Sequence, residues 1–109
     1  MGLDIEIKSV KEIRCPHCGE FLTNKIEYEV DSCGRGWYDI LEEFGYYVPY
    51  EERTEENDWY GKDMALTDMQ ALALANYACE NNLYNFKEID DLVNDSLGSG
   101  SKVIINADW

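Results

Sequence analysis

Apolar and charged residues alternate over residues 3–8 (LDIEIK), the period-two pattern of a strand with one buried face. The same alternation returns over residues 25–30 (KIEYEV), where Ile26, Tyr28 and Val30 share a face. Between the two lies a turn, CPHCGE, at residues 15–20. After Cys33 the period changes. In WYDILEEFG, Trp37, Ile40, Leu41 and Phe44 fall at helical spacing and Gly45 stands where a helix stops, which predicts a short helix over 37–44. Residues 46–66 show no sustained period, and an unstructured connection of that length is often functional. Thr67 opens a helix near 68–82 through a capping box with Gln70. A second box, Asn85 with Glu88, opens a helix near 86–97, where Phe86, Ile89, Val93 and Leu97 share a face and Gly98 closes the element. The last run, KVIINADW, predicts a strand near 102–107. Strands at both ends, one between and helices late in the chain imply an α+β fold built on a small antiparallel sheet.

A length of 109 residues fits a single domain, 1–109, whose small core a metal staple would help. The formal net charge of −14 is spread along the chain, which argues against direct binding of nucleic acid through its phosphates. The same charge suits a basic protein partner, or an acidic mimic of DNA. The N-terminal residues lack the apolar core of a secretory signal, and no apolar stretch is long enough to span a bilayer, so the expectation is a cytoplasmic protein without a membrane partner. In that reducing setting the four cysteines read as thiols or metal ligands rather than as a disulfide framework. The paired acids Glu42-Glu43, Glu51-Glu52 and Glu55-Glu56 read as solvated surface, since no calcium-loop spacing accompanies them. LGSGSK at 97–102 leads out of a helix into a strand, the reverse of a phosphate-binding loop.

The cysteine pattern carries the most specific chemistry. Cys15-Pro16-His17-Cys18-Gly19 reads C-x-x-C-G, and Val30-Asp31-Ser32-Cys33-Gly34 reads V-x-x-C-G. Over residues 13–36 the chain resembles a zinc ribbon, a hairpin in which two such knuckles supply four thiolates to one ion. That resemblance implies zinc held by Cys15, Cys18 and Cys33, with Asp31 beside the missing fourth sulfur as an oxygen ligand. His17 and Cys79 are the other candidates for that position, as is a ligand from a second chain; Cys79 otherwise reads as a small buried hydrophobe on the stripe of Leu72 and Ala75. CPHC also resembles the dithiol of thioredoxin-like disulfide oxidoreductases. That chemistry needs the first cysteine at a helix N-terminus, and residues 21–30 read as strand.

Tyr46, Tyr47, Tyr50, Trp59 and Tyr60 alternate with acids in the segment without a period, a composition that suits an interaction surface. The other reading of these rings is a satellite core folded under a long loop. In general style the chain resembles small proteins of bacteria and their prophages. The resulting expectation is a non-enzymatic protein-interaction module, with DNA mimicry and thiol–disulfide exchange as the alternatives.

Overall fold

The computed structural model describes residues 3–108, with the backbone alone described for Tyr50. Two long strands, β1 (Asp4–Arg14) and β2 (Phe21–Cys33), form a hairpin, followed by a short helix α1 (Tyr38–Glu43). A short strand β3 (Met64–Leu66), two helices α2 (Asp68–Glu80) and α3 (Phe86–Ser99), and a last strand β4 (Lys102–Asp108) complete the chain. The strands make one antiparallel sheet in the order β2-β1-β4-β3, so the α+β expectation holds.

Alternation along the central strands decides which face is covered. Ile5 and Ile7 of β1 and Val103, Ile105 and Ala107 of β4 are buried, and they belong to one core cluster with Leu74, Ala75 and Ala78 of α2 and Ile89, Leu92 and Val93 of α3. Helix α3 packs on the sheet and α2 packs on α3. The intervening residues Asp4, Glu6, Lys8, Asn106 and Asp108 face the opposite, open side. Trp37, fully buried, donates its indole N–H to Ser32 Oγ (3.0 Å), and Ser32 donates onward to the Tyr84 carbonyl (2.6 Å). That chain of bonds ties the root of β2 to the α2–α3 connection.

The predicted strand boundaries fall short. Strand β1 runs six residues past Lys8, and β2 begins four before Lys25 and ends three after Val30. Strand β4 pairs with β1 only from Asp4↔Asp108 to Val10↔Lys102. Beyond Val10 the hairpin continues alone, and no residue from Lys11 to Glu29 is buried. The molecule is accordingly long, 48 × 33 × 22 Å, with a radius of gyration of 14.6 Å against about 13 Å for a compact chain of this length.

Helix ends show where local signals were followed. The Thr67 box forms in both directions, Gln70 N–H to Thr67 Oγ1 (3.2 Å) and Thr67 N–H to Gln70 Oε1 (2.9 Å). The Asn85 box does not form: Asn85 sits in the left-handed region (φ 61°) without capping α3, and its side-chain amide donates to the Asp31 carbonyl (2.7 Å) instead. A tertiary bond has displaced the local cap. Gly98 stays helical, and α3 ends at Gly100 (φ 74°).

Two substitutions separate body from arm. Ile7→Ala should cost about 2–5 kcal/mol in urea unfolding because it opens a cavity in the central strand, whereas Ile26→Ala should stay within about 0.5 kcal/mol of the parent.

Candidate functional site

The hairpin tip is a tight turn. The Gly19 N–H bonds the Cys15 carbonyl (2.8 Å) and the Cys15 N–H bonds the Glu20 carbonyl (2.8 Å), with Gly19 at φ +70°. That backbone angle is one glycine adopts without strain. Hydrogen bonds from the backbone N–H groups of Cys18 and His17, then from the Cys18 thiol, hold the Cys15 thiol below its usual pKa. Arg14 braces the turn by donating to the Gly19 carbonyl (3.2 Å) while pairing with Glu12 (2.8 Å), whose other oxygen accepts from Lys102 (2.6 Å). Those two cations, Lys102 foremost, keep the Glu12 carboxyl below the ordinary range.

The two cysteine turns do not converge. Cys33 pairs with Asp4 at the root of the hairpin, while Cys15 follows Arg14 at its tip. Ten strand residues separate those positions, on the order of 30 Å. Cys15 and Cys18 are therefore brought together, and Cys33 and Asp31 are brought to neither. The physical reason lies in β2: residues 21–33 form one unbroken strand, so V-x-x-C-G is part of its alternation rather than a second knuckle. Val30 packs on the core and Ser32 is buried, while Asp31 and Cys33 are exposed. Asp31 instead joins Glu6 and Glu29, whose side-chain oxygens lie within 4.8 Å of one another on the open face of the sheet. Asp31 and Glu6 also line a depression of about 300 Å³ with Asp4, Asn106 and Asp108. Cys79 is exposed on α2 rather than buried, and His17 is exposed at the tip. Cys15 stands at a strand end, not at the helix N-terminus that a thioredoxin-like dithiol uses.

Of the aromatic residues expected on an interaction surface, Tyr46 is turned inward. Gly45 (φ 78°) reverses the chain after α1 and sends Tyr46 into the core, fully buried. Its hydroxyl accepts the Ala107 N–H (2.7 Å) and donates to the Lys62 carbonyl (2.7 Å), with the Ala107 carbonyl 3.1 Å away. Trp59 stacks on Tyr46, Tyr47 sits edge-on to Tyr38, and Arg53 lies over the Tyr47 ring. Tyr60 alone of the four rings described is exposed; the Tyr50 side chain lies outside the described residues. Tyr46 thus belongs to the main core, with Tyr47 and Trp59 packed against it.

The surface that sequence patterning missed is β2. Phe21, Leu22, Ile26 and Tyr28 each keep between 48% and 59% of their surface in water, and all four lie on an edge strand. The available signal was the run of aromatic and branched residues reaching from Phe21 to Val30, continuous with KIEYEV. The chain matches none of the protein-family models, curated proteins or solved structures with which it was compared.

Burial, first, and the nearby Asp63 and Asp108 raise the Tyr46 phenol above its ordinary value, against hydrogen bonds that lower it. A raised folded-state pKa favours the neutral phenol in the fold. The associated stability is intact below about pH 10 and is lost as pH climbs from there through the folded value. Tyr46→Phe should cost about 1–3 kcal/mol at neutral pH by stranding a buried N–H. It should also flatten the alkaline decline in melting temperature, leaving the part that Tyr77, likewise raised by burial, contributes.

Proposed function

We propose that the chain is a non-enzymatic protein-interaction module that offers the edge of β2 from Phe21 to Glu29, short of the Asp31 carbonyl that Asn85 occupies, to an extended, basic segment of a partner protein. The observation that carries this reading is the position of Phe21, Leu22, Ile26 and Tyr28 on a thirteen-residue edge strand, much of it projecting beyond the body. Proteins protect such edges with charge, proline or brevity, and a long edge with exposed apolar side chains is a template for strand addition. Main-chain hydrogen bonds would supply affinity, and the half-exposed rings would supply specificity.

Charge favours a basic occupant. Glu27, Glu29 and Asp31 punctuate β2, and the acid-lined depression of Asp4, Glu6, Asp31 and Asp108 lies beside its root, well placed for a lysine or arginine head of an added strand. Lys8, 3.7 Å from Glu6 and from Asp63, offsets part of that charge on the same face. Strand addition buries apolar area as well as pairing charge. It should therefore survive moderate salt, whereas DNA mimicry, which relies on distributed carboxylates alone, should collapse as salt rises.

A peptide array alternating basic and apolar residues tests this. Binders should protect β2 amides from hydrogen exchange and lose at least about tenfold in affinity on Ile26→Lys with Tyr28→Lys, while both substitutions leave melting nearly unchanged. Protection confined to other strands, or binding indifferent to these substitutions, would overturn the reading.

A further inference from the structure

We propose that the Cys15–Cys18 turn is half of a zinc site, completed by the same turn of a second copy of the chain to give a tip-to-tip dimer around one tetrahedral ion.

The donors are thiols three residues apart in a turn that folds Cys18 back toward Cys15 and is closed by two backbone bonds of 2.8 Å. A structural zinc ion takes four ligands, with sulfur at about 2.3 Å. Among the described residues, the metal-competent groups of three or more are confined to Glu6, Glu29 and Asp31, away from this turn. One chain thus brings two sulfurs, and two chains bring the four that the ion requires. The shared ion would make a two-fold contact, the commonest closed symmetry for identical subunits.

Placement allows the meeting. Pro16 through Glu20 are exposed, and the hairpin carries the turn four strand residues beyond the last β4 pairing, roughly 13 Å. Two bodies of charge −14 joined at their tips would stay further apart than the screening length of about 8 Å. The tips also carry compensating charge. Four thiolates and one dication sum to a net negative cluster, and each tip holds an Arg14 guanidinium against its own Gly19 carbonyl. The site does not depend on strand addition to β2, which uses the backbone edge that begins at Phe21 beside the turn and not the thiols.

The test is titration of reduced, metal-free full-length protein with zinc, followed by bound metal and by sedimentation equilibrium. Uptake should saturate at about half an equivalent per chain, with conversion from monomer to dimer at the same point. Cobalt in place of zinc should give the visible absorption of a tetrahedral thiolate site. Cys15→Ser and Cys18→Ser should each abolish the dimer and the cobalt spectrum while circular dichroism remains that of the parent; Cys33→Ser and Cys79→Ser should change neither. Absence of uptake, one equivalent on a monomer, or a dimer that persists in the Cys15 and Cys18 variants would each overturn the proposal.

Discussion

A mismatch in strand length organises this molecule. Strand β1 has eleven residues and β2 thirteen, but β4 has seven, so the central strand is paired on both sides only from Asp4 to Val10. Where both flanks are filled, Ile5 and Ile7 lie under α3 and the sheet belongs to the core. Past Lys102 one flank is empty, and the hairpin must hold itself. A lone two-stranded ribbon is marginal in water, and the features that support this one sit where support ends. Lys102, the first residue of β4, reaches Glu12, and Glu12 reaches Arg14, which holds the turn. The bulge between Ser9 and Val10 lies at the same border, with Val10 buried outside the main core cluster.

The division between body and arm follows from this, and so does the distribution of chemistry. The body satisfies its polar groups internally: Trp37, Ser32 and the Tyr84 carbonyl form one chain, Ser9 and Ser96 meet between β1 and α3, and the Tyr46 hydroxyl serves the backbone at Ala107 and Lys62. Among the described residues, no buried side-chain nitrogen or oxygen lacks a partner. The arm carries the paired thiols and a run of exposed apolar side chains, Phe21, Leu22, Ile26 and Tyr28, while Tyr60, Met69, Leu72 and Tyr84 are exposed on the body. An interior without unmet polar groups beside an arm rich in unmet apolar ones suits a surface that makes contacts, which is why the functional reading concentrates there.

Patterning exposed the body well and the arm poorly, for reasons visible in particular residues. LDIEIK alternates because one face is covered by helices, and alternation is what burial writes into a strand. Ser9 and Val10 are buried in succession at the bulge, which breaks the alternation, and residues 11–14 (KEIR) have no such covering, so β1 read as ending at Lys8. The likeness of Val30–Gly34 to a knuckle was one of letters. Val30 is apolar because it packs on the core, and whether Cys33 stands near Cys15 depends on strand length, which local spacing does not encode. Asn85 carried the correct capping residues and lost its cap to the Asp31 carbonyl, a partner 54 positions away. The tyrosines after Gly45 were visible as a cluster, yet the inward direction of Tyr46 follows from the positive φ of that glycine and from the Ala107 N–H that its hydroxyl accepts.

Because the side-chain period of a strand is two, the ribbon beyond Val10 has a property that the rest of the chain lacks. Removing matched pairs of residues from its two strands would retract the tip by about 7 Å per step and leave every remaining side chain on its present face. Removing a single residue would invert them. Reach is thus a quantity that evolution, or an engineer, could adjust in even increments without disturbing a single helix contact.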